Sequence, residues 1–268
     1  MPPSASPPPA APDDLGAFVR TSLVDLVTER IRTAIFSGAY LPGRKLIVRE
    51  LSEALGVSHT PVKDALNRLI SEGLVEAFPN RSMVVRRFTT HDLIESLAVR
   101  LMSELFFAPE IVRGAAADPA LVADLDAALA DMLAAIGRPG GIDYQAWVEA
   151  ETRFHRRYMA VCDNGALIGL YNGLDSNRFT YFAFLGNAET PLTRDILDKN
   201  LTEHRAIIAA LSARDAQGFR RAVAAHLVRA CEDYAVDAAA VERIAQVRRL
   251  AEANLGEPVA IPGGDADH

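Results

Sequence analysis

Cysteine is nearly absent. The 268 residues hold only Cys162 and Cys231, and these lie in no spaced framework of the kind that builds a disulfide scaffold or a zinc finger. A reducing, cytoplasmic setting is the expectation. Long apolar runs are missing too: charges interrupt every Leu- or Ala-rich segment before the roughly 20 residues that a bilayer span requires, so no membrane partner is expected. The opening MPPSASPPPAAPDD has neither the basic start nor the apolar stretch of an export signal. Its proline and alanine content predicts a disordered tail over residues 1–19.

A basic excess is lacking as well, since the formal charge is −7. Spread evenly, that would argue against a nucleic-acid partner, but the distribution is uneven. Residues 20–88 carry 11 Lys/Arg against 7 Asp/Glu, a net of +4, which leaves 17 basic and 28 acidic residues elsewhere, a net of −11. A basic module on an acidic one is the asymmetry expected when one domain meets a polyanion. The length suits two domains, each with its own core.

In the basic segment, SLVDLVTERIRTAIFSG spaces Leu23, Val27, Ile31 and Ala34/Ile35 as one helical face, stopped by Gly38. After Leu41-Pro42-Gly43, VRELSEALG predicts a short helix through Leu51 and Leu55, closed by Gly56. A third helix follows three residues later. Ser58 or Thr60 is placed to cap it, Pro61 suits its first turn, and Val62, Leu66 and Leu69 form its buried stripe, while His59, Lys63 and Asn67 face outward. Short helix, glycine turn and a helix with a polar, basic outer face describe a helix-turn-helix and its recognition helix. LVEAF and MVVRRF read as two short strands around Pro79-Asn80-Arg81-Ser82, a wing with Arg81, Arg86 and Arg87 near phosphate or the minor groove.

The stretch from IRTAIFSG to NRSMVV resembles the winged helix-turn-helix of the GntR family: a Pro-Gly turn, Arg-Glu-Leu, a Val-Ser-x-Thr-Pro-Val core and Glu-Gly-Leu before the wing. The resemblance implies DNA contacts at Arg49, Ser58, His59, Thr60, Lys63 and Arg81, to which the outward face adds Asn67. His59 and Lys63 stand where the family usually has arginine, and Ser82 where it usually has glycine. Arginine reads guanine with two parallel donors, whereas lysine is a point charge and histidine is mostly neutral near pH 7. The operator is therefore expected to differ from the family's common one.

From Thr90 onward the sequence is nearly strand-free, with breaks near Gly114–Pro119, Gly137–Gly141, Asp163–Gly165, Gly186–Pro191 and Arg214–Gly218. The fold class is thus mostly α, a winged helix-turn-helix over 20–88 followed by an all-α antiparallel bundle over 89–255, with 256–268 as a frayed tail. Glu151 and His155, four apart, share a helix face. His204 lies 11 residues before Asp215 and His226 lies 11 after it. A turn at Asp215 would bring both to one level of the bundle. One carboxylate and three imidazoles then make a divalent-metal site, zinc first, with nickel or manganese as alternatives. The bland reading is a metal-free pocket in which Glu151 hydrogen-bonds the histidines.

This half resembles the FCD ligand-binding domain of FadR-type GntR regulators, through Glu151, Phe154-His155, Asn164, Glu203-His204 and His226-Leu227. The family's first ligand is usually aspartate, one methylene shorter than Glu151. Arg100 and Glu104 match an Arg-x-x-x-Glu element and read either as a carboxylate clamp or as a surface ion pair. Asn177 and Arg178 are further effector-binding candidates. The resemblance implies a homodimeric, ligand-responsive repressor or activator that binds a double-stranded inverted-repeat operator, its effector a small organic acid. A metal-dependent hydrolase using the His/Glu cluster is the alternative, although no HExxH or nucleophile elbow is present.

Overall fold

The computed structural model describes residues 23–79, 82–138, 141–174 and 192–261. Two hydrophobic cores share no residue: one spans Val27 to Val85, the other Leu93 to Val259. The first is built by α1 (Leu23–Phe36), α2 (Val48–Leu55), α3 (His59–Ser71), β1 (Val75–Ala77) and β2 (Met83–Val85). Val62, Leu66 and Leu69 are fully buried, as their spacing requires, and meet Ile31 and Ile35 of α1 in one cluster. Leu23 departs from its expected place on the buried face of α1. It is exposed, and Thr28, whose hydroxyl bonds the Val24 carbonyl at 2.7 Å, is buried instead.

Gly56 ends α2 at φ 67 and Ser58 occupies the N-cap of α3, but the Ser58 side chain makes no capping hydrogen bond. The strands pair antiparallel, Val75 opposite Val85, and Lys45 adds a bridge to Val84. Gly43 is needed where it is: φ is +84, and a Cβ there would fall 2.4 Å from the Arg87 guanidinium.

The second core belongs to α4 (Thr90–Phe106), α5 (Ala108–Ala117), α6 (Leu121–Ile136), α7 (Tyr144–Met159), α8 (Gly165–Leu174), α9 (Arg194–Ser212), α10 (Ala216–Glu232) and α11 (Ala238–Leu255). Side-chain caps start several of them. Thr89 and Asp92 form a reciprocal capping box on α4, and Asp143, Thr193, Asp215 and Asp237 accept from backbone amides of α7, α9, α10 and α11. The turn at Asp215 makes α9 and α10 neighbours, and both pack on α5, while α4 lies against α10, α11 and α8.

Three expectations change. Gly114 lies inside α5 rather than at a break, and its missing side chain lets the helix meet Val161, whose carbonyl would sit 2.6 Å from a Cβ. The breaks at Phe107 and between Tyr234 and Val236 carry no Gly, so the punctuation did not reveal them. The packed chain also runs past residue 255: Gly256 caps α11 at φ 78, and Val259 is buried, its N–H donating to Glu252 Oε1 and its carbonyl accepting from Arg248. The Gly186–Pro191 break lies outside the described residues. Among the described residues no helix is long and apolar enough to cross a membrane.

Candidate metal and ligand site, and the DNA-facing helix

The equal offset from Asp215 does what geometry demands of an antiparallel pair. The rings of His204 on α9 and His226 on α10 lie 4.7 Å apart. From α7, Glu151 and His155 enter the same space, and one ligand atom from each of the four residues falls within 4.8 Å of the others. All four are buried. His155 Nε2 is 3.0 Å from Glu151 Oε1 and 3.0 Å from His204 Nε2, and His204 Nε2 is 3.1 Å from Glu151 Oε2. His226 Nε2 stands 3.9 Å from Glu151 Oε1. These spacings are close to the ~3 Å between neighbouring donors around an ion bound at ~2.1 Å. The extra methylene of Glu151 does not move its carboxylate out of the cluster.

Every imidazole is oriented from behind. His204 Nδ1 donates to the Asn200 carbonyl at 2.7 Å, and His226 Nδ1 donates to Glu203 Oε2 at 2.9 Å. His155 Nδ1 lies 2.6 Å from the Tyr158 hydroxyl. That hydroxyl spends its proton on Glu104, so its oxygen accepts from His155. With Nδ1 protonated on all three rings, the three Nε2 lone pairs face one another and the Glu151 carboxylate. Glu151 Oε2 is a buried oxygen with no hydrogen-bond donor among the described residues. A donor set of three neutral imidazoles and one carboxylate, each braced by an outer partner, fits a divalent cation.

Burial favours the neutral form of two of these rings. Burial, then the charge of Arg100, pulls His155 down to about 3 against the opposing Glu151 carboxylate. Burial and then His204 pull His226 well below its ordinary value. Burial alone would raise Glu151, but His204 and His155 hold it well below the usual carboxylate range. The outer layer continues through charge pairs: Glu203 is bonded by Arg229, which also reaches Asp233 at 2.6 Å.

Arg100 is not at the surface, as the ion-pair reading supposed; it is buried on α4. Its Nε donates to Glu104 Oε1 at 3.3 Å and to the Tyr171 hydroxyl at 3.2 Å. Glu104 also accepts from Tyr158 and Tyr171, so α4, α7 and α8 meet at one carboxylate. Burial, then Glu104, pushes the Tyr158 hydroxyl well above its ordinary value, which keeps it a donor. Arg100, Glu151 and His226 line a single cavity of about 30 Å³. Asn177 and Arg178 lie outside the described residues. Asn164 caps α8, accepting from the Leu167 amide at 3.0 Å, and is exposed away from the cluster.

Tyr158, three residues after His155, and Trp147, four before Glu151, were missed in the sequence. The spacing of each to a named ligand is the signal that could have found them. Asn200 lies four before His204, but its bracing atom is a backbone carbonyl, which no side-chain pattern marks.

In the first domain, Ser58, His59, Thr60, Lys63 and Asn67 are all exposed along α3 and at its N-cap. Arg49 projects from α2, its side chain 74% exposed and only 3.9 Å from Glu53. Arg81 lies outside the described residues. Arg86 is engaged internally: it pairs with Asp92 at 2.7 Å and Glu76 at 3.5 Å, and its guanidinium lies 4.9 Å from the Phe88 ring centre. That removes it from the wing's phosphate-facing set.

A winged helix on a helical domain with a buried, oriented ligand cavity defines a two-domain transcriptional regulator. The family model for bacterial regulatory proteins of the gntR family matches residues 23–85, and that for the FCD domain matches residues 88–229. This chain belongs to the GntR family of transcriptional regulators, in the branch that carries an FCD domain. It is 26% identical over 210 residues to a probable D-xylose utilization operon transcriptional repressor of Paenarthrobacter nicotinovorans, covering 78% of this chain and 88% of that protein. An uncharacterized HTH-type transcriptional regulator of Agrobacterium vitis, from the TAR-I ttuE-ttuC' intergenic region, is 31% identical over 134 residues, 48% of this chain and 75% of that protein. The fold matches E. coli McbR/YncC with a TM-score of 0.65 at 23% identity, over 80% of this chain and 97% of that one. The family and relatives are regulators rather than enzymes, so the hydrolase alternative falls.

Proposed function

We propose that this protein is a homodimeric, ligand-responsive repressor. Residues 20–88 bind an inverted-repeat operator, and residues 89–255 hold a divalent metal, the dimer contact and a small carboxylate effector. The observation that carries the reading is the shared cavity: a buried cation, Arg100, and the Glu151/His226 face of the metal cluster line one space. A carboxylate placed there meets the positive charge of a buried guanidinium that Glu104 and Tyr171 hold in place. A bound divalent ion would be held by Glu151, His155, His204 and His226 and would supply a Lewis-acidic anchor for an anionic group. Zinc suits the three-imidazole set first, nickel or manganese next.

The protein's own residues do the rest. Tyr158, Asn200 and Glu203 hold the three rings in one tautomer. Arg100 and Glu104 tie the cavity to α4, whose first turn follows directly on the wing. On the DNA side, the exposed Arg49, Ser58, His59, Thr60, Lys63 and Asn67 supply phosphate and base contacts, with Arg81 at the wing tip. Effector binding would favour a dimer geometry in which the two recognition helices no longer match successive major grooves.

The repressor reading is supported by the name of the Paenarthrobacter relative. The test measures binding of the full-length protein to DNA from upstream of its own gene, with and without carboxylates, at fixed salt. Sequence-selective binding that a carboxylate weakens is the expected result. Absence of selective binding under every condition would sink the proposal.

A further inference from the structure

The outer face of the wing sheet differs between its two ends. Lys45 bridges Val84, and the Leu46 amide donates to the Met83 carbonyl at 2.8 Å. That register sets Ile47, still extended at φ −99 and ψ 117, opposite Ser82. From the other side, the register of β1 and β2 continues through the Phe78 amide, which donates to the Ser82 carbonyl at 2.9 Å, and sets Phe78 opposite Ser82 as well. Residues opposite one another in antiparallel strands share a face, and faces alternate along each strand. Val75 and Val85 point into the core, so Ile47, Ser82 and Phe78 form an outward row.

At the end of this face next to α4, Arg86 is held by Glu76 and Asp92. At the far end the row carries no charge. Ile47 is 45% and Phe78 47% exposed, and neither belongs to the core of the domain. This apolar end is continuous with the DNA-facing residues. Ile47 is the N-cap of α2, two residues before the exposed Arg49, and α2 packs on α3. Lys45, also exposed, precedes Ile47 on the same face, and Phe78 opens the wing loop, followed by the exposed Pro79.

A phenyl ring among these cations neutralises no phosphate, so it adds nothing to the counterion-release part of binding. Its match is the apolar surface of the deoxyriboses and the floor of the minor groove, where inserted Phe and Ile side chains act as wedges. Two strand spacings of ~4.8 Å make the row about 10 Å wide, against a minor groove of ~6 Å. One side chain therefore enters while the other rests on the rim. Phe78 sits on the projecting loop, whereas Ile47 is fixed at a helix start. The ring's edge also selects the base pair. It is weakly positive, which suits the acceptors that A·T pairs present on the groove floor. A G·C pair adds the guanine N2 amino donor at that place, and the ring offers this donor no acceptor.

Resting on the operator reading above, we propose that Phe78 enters the minor groove beside the recognition helix and selects A·T pairs there, while Ile47 packs on a deoxyribose at the rim. The wing thereby reads the operator through an apolar contact that is separate from its cations.

The test uses the full-length protein and DNA from upstream of its own gene, by fluorescence anisotropy at fixed salt. Each base pair of the bound site and its flanks is made A·T, G·C or inosine·C in turn. Inosine lacks the N2 amino group, so inosine·C joins the minor-groove face of A·T to the major-groove face of G·C. Under the wing, G·C should bind about fivefold or more weaker than A·T, and inosine·C should bind like A·T. Phe78→Ala should bring that discrimination below about twofold while leaving the melting temperature and the slope of log affinity against log salt unchanged. Ile47→Ala should weaken A·T and G·C sites alike. Discrimination that survives Phe78→Ala overturns the assignment, as does selective binding with no position at which inosine·C relieves the G·C loss; both leave the operator reading standing. A slope lowered by about 1 in Phe78→Ala also overturns it, since the ring would then support a phosphate contact. If the parent binds no sequence selectively, the operator reading itself fails, and this inference with it.

Discussion

Arg86 Nη2 lies 2.7 Å from Asp92 Oδ1, and this ion pair joins the end of the wing to the first turn of α4. Asp92 is also the return half of the Thr89 capping box, and α4 carries Arg100 eight residues further on. The same carboxylate therefore starts the helix that reaches the ligand cavity and holds the last part of the DNA-binding domain.

Arg86→Gln should keep the capping box, and so the melting temperature, nearly unchanged, while shrinking the effector-induced change in DNA affinity. Fluorescence anisotropy with labelled operator, with and without effector, measures both quantities; a full effector response in the variant would refute the coupling. A pH series adds a second check. Burial pushes the Asp92 carboxyl up, but hydrogen bonds from Thr89 and the charges of Arg86 and His91 outweigh it and hold the group below its ordinary 3.8. A lowered carboxyl contributes stability above its unfolded value and loses it as pH falls through the folded one. Asp92→Asn should therefore cost stability at neutral pH and converge with the parent below that range, as followed by circular dichroism.

Tyr158→Phe deletes only the oxygen that accepts from His155 Nδ1. Outer partners of this kind are worth about 10–100-fold in metal affinity, and competition with a chelator should show a loss in that range. His204→Ala should remove stoichiometric metal in elemental analysis of protein purified without chelators. Equal metal content in parent and His204→Ala would argue for the metal-free pocket.

Lys63 is exposed on the outer face of α3 and stands where the family usually has arginine. If it contacts phosphate, Lys63→Ala weakens binding about equally for cognate and scrambled DNA and lowers the slope of log affinity against log salt by about 1. A loss confined to one operator position, with the slope intact, would assign Lys63 to a base instead.

Gly114→Ala tests the close approach of α5 to the end of α7. A Cβ at this position would meet the Val161 carbonyl at 2.6 Å and its Cβ at 2.8 Å. Backbone on the far side cannot yield as a flexible side chain can, so a loss of about 1–3 kcal/mol is expected in denaturant unfolding. The usual helix-propensity gain of alanine over glycine, about 1 kcal/mol, would appear instead if the approach were looser.

Much of the site was legible because its spacings are helical. Glu151 and His155 at i, i+4 share a face whatever surrounds them, and the symmetric offsets of His204 and His226 about Asp215 survive in the folded pair. Arg100 stood open between a pocket cation and a surface ion pair because local sequence does not distinguish an exposed i, i+4 ion pair from one enclosed by two tyrosines of other helices. The break at Phe107 was hidden because no Gly marks it, and the segment through Val259 read as a frayed tail because Gly256 and Pro258 announce a helix end, while its packing against α11 is tertiary.

Periodicity, caps and charge segregation are local properties, so sequence alone determined a basic winged helix-turn-helix, an all-helical partner domain and the four residues able to meet around an ion. Which polar atoms are satisfied is decided only when helices distant in sequence close on one another. The tertiary structure therefore decided that Arg100 is an interior cation, that Arg86 faces Asp92 rather than DNA, and that Trp147 and Asn200 are left unpaired in the same cavity.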